Sequence, residues 1–150
     1  MPMSDAAPTL RPARPQDAGA CAEIPNGWID ATPWMPRIHS AEAVRQRYRE
    51  VVIPRRNVLV ATHGGAVAGF LAIDEAEITS FYMRLPGRRI GAALLGAAKT
   101  GRMRLSLWTF QANRGARRFY LREGFREVAR TAGENEEGLP DVQYLWEGTP

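Results

Sequence analysis

The chain has almost no cysteine, almost no lysine and no long apolar run. One cysteine, Cys21, in 150 residues excludes an intramolecular disulfide framework. Set among Ala18, Ala20 and Ala22, it reads as a small buried thiol rather than a nucleophile. Histidine is nearly absent too, with 2 in the chain, and no cluster of His, Cys, Asp and Glu has metal-ligand spacing, so no metal is expected. No apolar stretch is long enough to span a bilayer, and residues 1–15 carry proline and charge without the apolar core of a signal peptide. The expectation is a cytoplasmic protein with no membrane partner. Nucleotide loops are also missing. Gly64, Gly65 and Gly69 fit neither G-x-G-x-x-G nor P-loop spacing, and no G-x-S-x-G elbow occurs.

What is plentiful is arginine. All but one of the 20 basic residues are arginine, the exception being Lys99, and the formal net charge is +4. A guanidinium fork binds phosphate oxygens in pairs, so the bias fits a phosphorylated cofactor, nucleic acid, or merely a GC-rich coding sequence. Composition does not separate the three. With 45% apolar residues the chain suits one compact domain over residues 1–150, with a flexible lead over residues 1–8.

Periodicity and breakers divide the rest. Residues 9–13 read as a first strand and residues 15–23 as a helix begun by proline in its first turn. Residues 25–39 hold four prolines or glycines together with Trp28, Trp34 and Met35, and read as an aromatic, irregular loop. Ser40 is placed to cap a helix in which Val44, Tyr48, Val51 and Val52 recur at helical spacing until Pro54. Residues 57–63 and 66–74, joined by Gly64-Gly65, read as a tight hairpin of buried strands. A strand over residues 77–83 leads through a turn into a helix over residues 90–100 closed by Gly101. After a strand over residues 104–110 come a further helix, a strand from Phe125, a polar loop over residues 133–140 and a last strand over residues 141–147.

The most informative stretch begins at that strand, Arg104-Leu-Ser-Leu-Trp-Thr-Phe110. Asn113 follows at a helix N-cap position, Ala116, Phe119 and Tyr120 make an inward helical stripe, and Gly124-Phe125 supplies a left-handed stop. The strand followed by N-x-x-A-x-x-F-Y and x-x-x-G-F resembles the second signature of the GCN5-related N-acetyltransferase (GNAT) family, with every fixed position filled. The order of elements over nearly the whole chain is also similar to that family's. The fold class so implied is a mixed α+β sheet, mostly antiparallel, flanked by helices: the acyl-CoA N-acyltransferase fold.

The resemblance implies direct transfer of an acetyl group from acetyl-CoA to a primary amine on a small molecule or protein N-terminus. Tyr120 would be the general acid, since a phenol stays protonated at neutral pH and can give its proton to a departing thiolate. Phe81, Tyr82 and Met83, in a strand resembling the family's E-h-x-x-h-Y-V pattern, would offer backbone groups to the cofactor. Asn113 would bond its pantetheine arm, and Arg117 would add a further cofactor contact. The turn Gly87, Arg88, Arg89, Ile90 and Gly91 would hold its pyrophosphate at a helix N-terminus, where unpaired donors and partial positive charge collect. That turn departs from the family pattern Q/R-x-x-G-x-G/A at Pro86 and Arg89, and Arg88 and Arg89 would compensate with guanidinium groups. Glu77 and His39 are the alternatives for a general base, and Trp34 and His39 are expected to line the acceptor side. Two other readings stay open: a CoA-binding sensor or partner module of the same fold, and, disfavoured, a nucleic-acid binder using Arg114, Arg117, Arg118 and Arg122. A homodimer is also open.

Overall fold

The computed structural model describes residues 7–84 and 89–149. Most of the expected flexible lead, and the turn residues Gly87 and Arg88, lie outside them.

Strands β1 (Thr9–Pro12), β2 (Asn57–His63), β3 (Ala66–Asp74), β4 (Glu77–Met83), β5 (Arg104–Phe110), β6 (Arg126–Thr131) and β7 (Asp141–Glu147) form one seven-stranded sheet in the order β1-β2-β3-β4-β5-β7-β6. All neighbouring pairs run antiparallel except β4 and β5. Gly64 and Gly65 turn the β2–β3 hairpin at φ 60° and 82°, the left-handed geometry a tight hairpin needs. The central strands are buried on both sides, which is why β3 reads as a continuous apolar run.

Two apolar clusters sit on opposite faces, sorted by the two-residue period of the strands. Val58, Val60, Phe70 and Ala72 join Cys21, Ala22, Ile24, Tyr48 and Val52 on the face covered by helices α1 (Ala18–Ala31) and α2 (Ala41–Arg47). Ala61, Leu71 and Ile73 join Leu94, Leu95, Tyr120 and Tyr144 on the face covered by α4 (Ile90–Lys99) and α5 (Arg114–Arg122). Gly69 lets α4 approach. A Cβ there would stand 3.0 Å from Ile90 Cγ2 and 3.1 Å from the Tyr82 carbonyl.

Two helix boundaries differ from the sequence reading. The helix expected to end at Glu23 runs to Ala31, straight through Pro25 and Gly27. Pro25 gives the Cys21 carbonyl no N–H, but Ile24, Pro25 and Asn26 are buried, and that burial outweighs the local penalty. Arg37 then closes the following loop, donating to the Asn26 carbonyl at 3.1 Å, to its side-chain oxygen at 3.0 Å and to Asp30 at 3.0 Å. The second helix passes Pro54. A π-helical segment, Tyr48–Val52, widens the turn, with the Ile53 N–H given to the Tyr48 carbonyl, and the last turn α3 (Ile53–Arg55) accommodates the proline at its start. Ser40 caps α2 as its position predicts, accepting from the Ala43 N–H at 3.0 Å. No helix among the described residues is long and apolar enough to cross a membrane.

Candidate active site

β4 and β5 are parallel because α4 carries the chain from one to the other, and they touch only at their starts. Glu77 opposite Ser106 is their one register pair, with the Ser106 N–H given to the Ala76 carbonyl at 2.9 Å. Beyond that point the strands part. Parallel strands that diverge toward their carboxyl ends leave a crevice there, and here it is a cavity of about 1390 Å³ reaching both faces of the sheet.

β4 supplies one wall. A bulge at Thr79, between Ser80 opposite Ala72 and Ile78 opposite Ile73, shifts its register against β3. The Arg84 N–H is given to the Ala68 carbonyl of β3 at 2.7 Å. Antiparallel alternation then turns the backbone groups of Phe81 and Met83 the other way, into the gap. A row of strand-edge donors and acceptors therefore faces the cavity.

α4 supplies a second wall. Arg89, Ile90, Gly91 and Ala92 all line the cavity. The Ala93 N–H closes on the Arg89 carbonyl at 3.0 Å, so the N–H groups of Ile90, Gly91 and Ala92 belong to the orphan first turn. Arg89 adopts φ 60° and ψ 8°, the left-handed conformation that the glycine of the resembled pattern would supply. Gly91 keeps this helix start close to its neighbours: a Cβ there would lie 3.2 Å from Met83 Cε and 3.3 Å from Phe119 Cζ. The arrangement suits a phosphate group, and Arg84, Arg89 and Arg122 line the cavity together with the carboxylates Glu23 and Glu123.

α5 supplies the third wall. Asn113 caps it, its side-chain oxygen accepting from the Ala116 N–H at 3.2 Å, while its amide nitrogen has no partner among the described residues. The helix ends as the sequence predicts, with the Phe125 N–H on the Tyr120 carbonyl at 2.9 Å and the Gly124 N–H on the Leu121 carbonyl at 3.2 Å. Tyr120 is 8% exposed and is boxed by Phe119, Phe125, Tyr144 and Phe81 at ring-centroid distances of 5.5, 5.7, 5.8 and 6.3 Å. Its hydroxyl makes no hydrogen bond to the described residues, and the residue lines the cavity. Burial pushes its phenol well above the ordinary range, and the neighbouring Tyr82 and Tyr144 push the same way, so it holds its proton.

Eight of the expected site residues thus line one cavity: Phe81, Tyr82, Met83, Arg89, Ile90, Gly91, Asn113 and Tyr120. Glu77 does not. It is exposed at the closed end of the strand pair. Arg117 is also turned away. Its guanidinium donates to the Tyr144 hydroxyl at 3.2 Å and the Gln111 carbonyl at 3.1 Å, so its donors serve the packing of α5 on β7. Trp34 stands behind the wall, edge-on to Trp28 at 5.7 Å and Phe110 at 5.9 Å. His39 is exposed and bonded to Glu136 at 3.0 Å. Gly87 and Arg88 lie outside the described residues. Among those residues no group of three or more His, Cys, Asp or Glu is placed to hold a metal.

Trp28, from the aromatic stretch of which only Trp34 and His39 were singled out, and the end of β5, Trp108 to Phe110, also line the cavity. The signal for Trp28 was available in its spacing from Cys21 and Ile24, which continues one helical face through Pro25. The signal for β5 lay in the strand-helix-strand order, which places a crevice at the carboxyl ends of both strands.

No protein-family model matches the chain. Curated relatives include uncharacterized N-acetyltransferases of Mycobacterium bovis and Mycobacterium tuberculosis, each 35% identical over 49% of this chain and 54% of their own. The chain thus spans about half the length of the curated relatives it matches. Solved structures align over nearly its whole length. A GCN5-related N-acetyltransferase of Rhodopseudomonas palustris gives a TM-score of 0.78 at 22% identity, covering 95% of this chain and 97% of the other. YncA of Salmonella typhimurium, a putative acetyltransferase described with its cofactor acetyl-CoA, gives 0.72 at 19% identity, covering 97% and 98%. The fold is therefore the GNAT fold, as the resemblance at Asn113 to Phe125 implied.

Proposed function

We propose that this protein is an N-acetyltransferase that moves the acetyl group of acetyl-CoA directly onto a primary amine. The observation that carries the reading is the composition of the split between β4 and β5. One cavity joins an orphan helix N-terminus, an unpaired strand edge and a proton-holding buried phenol. In this reading the α4 start and Arg89 bind the pyrophosphate, the free amide of Asn113 and the β4 edge hold the pantetheine arm, and the backbone of Phe81 and Met83 polarises the thioester carbonyl. The neutral amine nitrogen forms its bond to the carbonyl carbon as the carbon–sulfur bond breaks, and Tyr120 gives its proton to the sulfur. The proton the nitrogen loses passes to solvent, from which the Tyr120 phenolate is reprotonated. The amine reaches this point from the opposite face of the sheet, along Trp28 and Tyr82.

The sensor reading drew on the departures in the phosphate turn. Arg89 takes a left-handed backbone conformation of the kind glycine adopts readily, which weakens that motive at this position. The nucleic-acid reading needs a free basic stripe on α5, but Arg117 is tied inside the fold and Arg122 lines the cavity, 5.8 Å over the Phe119 ring.

A thermal-shift titration tests the proposal. Acetyl-CoA at 100 times its dissociation constant should stabilise the fold by about 2.7 kcal/mol. For a chain of this size that is a rise of very roughly 5–10 °C. No shift at millimolar acetyl-CoA would refute the reading.

A further inference from the structure

A second cavity, of about 540 Å³, opens on the far side of Trp108, Thr109 and Phe110, the three residues that also line the first. Its remaining lining comes from the β6–β7 region and carries Glu134, Glu137 and Asp141 with no basic residue. This contrasts with the chain as a whole, whose net charge is +4, and with the first cavity, whose lining includes Arg84, Arg89 and Arg122.

The loop that holds these carboxylates is built rather than loose. The Asn135 side chain donates to the Leu139 carbonyl at 2.8 Å and to Asp141 at 3.0 Å, and accepts from the Leu139 N–H at 3.2 Å. Gly133 must be glycine: it has φ 129°, and a Cβ there would come 2.7 Å from the Gly138 carbonyl oxygen. His39 ties the loop to the α1–α2 connection through Glu136. Asp141 is committed to Thr131 and Asn135. Glu137 is in no ion pair or hydrogen bond among the described residues and is half-buried. The adjacent Glu136 is bonded to His39, and Arg130 is paired with Glu127.

Two further observations point to what would fill the space. Trp108 is 41% exposed although it is large and apolar, and it stands on the wall shared by both cavities. An open indole beside an unpaired carboxylate is a pairing that suits an ammonium or guanidinium group. Tyr82 lies on the acceptor side of the first cavity, 6.1 Å from Trp28, and its phenol is pushed up first by burial and then by the charge of Glu137. Glu137 is therefore within electrostatic reach of the path by which an acceptor enters.

We infer that the second cavity is a subsite for a positive charge on the acceptor, remote from the nitrogen that is acetylated, and that Glu137 with Trp108 determines this preference. The inference rests on the acetyl-transfer reading and names its acceptor class: an amine that carries a second cationic group a few atoms away. A small diamine and a peptide with a basic residue near its N-terminus share this chemistry.

Calorimetry on the CoA-saturated protein tests it with two matched pairs of probes. Diaminobutane is compared with aminobutane, and alanyl-lysine with alanyl-norleucine, so each pair differs by one charge. The dication of at least one pair should bind about tenfold tighter, equivalent to about 1.4 kcal/mol, and the winning pair identifies the carrier. Glu137→Gln should reduce that ratio to about twofold or less, within what a weak exposed ion pair leaves behind, and Glu137→Asp should retain an intermediate ratio. Melting temperatures measured on the same samples confirm folding. Equal affinities within both pairs, or a ratio untouched in folded Glu137→Gln, overturn the inference. CoA release measured with the same probes keeps the two proposals apart. Discrimination without release contradicts acetyl transfer alone, and release without discrimination contradicts the subsite alone.

Discussion

Arg89 is a non-glycine residue at φ 60°, directly at the start of the helix that points into the cavity. A side chain in that region costs about 1–2 kcal/mol, and glycine would remove the cost while adding roughly 0.5–1 kcal/mol of unfolded-state entropy. Arg89→Gly should therefore leave stability unchanged or raise it by up to about 1 kcal/mol, while weakening acetyl-CoA binding at low salt through loss of the guanidinium. Denaturant melts and a salt series of binding titrations check both halves; a large destabilisation would mean that the side chain anchors the turn. Asp17 offers a test by pH. Its carboxyl accepts from Arg11 at 2.7 and 2.9 Å and from the Arg14 N–H at 2.7 Å, which hold it below the usual carboxylate range despite burial. A depressed folded value stabilises above the unfolded value of about 3.9 and is lost as pH falls through the folded value. Asp17→Asn should lower the melting temperature at pH 6, and the gap to the wild type should start to narrow below about pH 4 and close as pH falls through the folded value. A constant gap would place its cause elsewhere.

Among residues, Asn113 and Tyr120 were legible because each sits at a position where its chemistry departs from what helix packing alone would require. Arg117 was not. One turn of helix separates a guanidinium facing a cavity from one facing Tyr144, and no periodicity fixes that choice for a long side chain at the edge of an amphipathic face.

At the scale of elements, the strands and α5 follow from the chain's alternation and stop signals, and α1 does not. Pro25 is a strong breaker locally, and only contacts with β3, β4 and α2, remote in sequence, keep the helix intact past it. The end of α5 is the converse case, where local chemistry is sufficient. Gly124 has φ 92°, and an added Cβ would meet only Trp146, at an ordinary 3.6 Å. The expected cost of Gly124→Ala is thus the backbone penalty without a clash, about 1–2 kcal/mol by chemical denaturation. A neutral result would show that α5 ends by its tertiary packing alone.

For the whole molecule, the decisive feature is a sheet interrupted in its middle. β4 and β5 share one register pair, and the space beyond it brings together groups from three walls and from both faces. The parallel pairing itself was implicit in the order strand, helix, strand. The meeting of the β6–β7 loop with the α1–α2 connection at His39 and Glu136 was not, because it joins segments 97 positions apart through exposed side chains that carry no pattern. The same lack of pattern left the base open between Glu77 and His39, since the place of Glu77 at the strand start said nothing about where the strands would separate.

The account turns on the buried phenol at the centre of that split. Tyr120→Phe keeps the ring among Phe119, Phe125 and Tyr144 and removes the proton assigned to the departing sulfur. CoA release and acetyl-CoA affinity, measured on one folded sample, should show affinity unchanged and turnover reduced by about 100- to 10,000-fold. Turnover equal to that of the wild-type protein, in a Tyr120→Phe sample that melts normally and binds acetyl-CoA, would contradict the central claim.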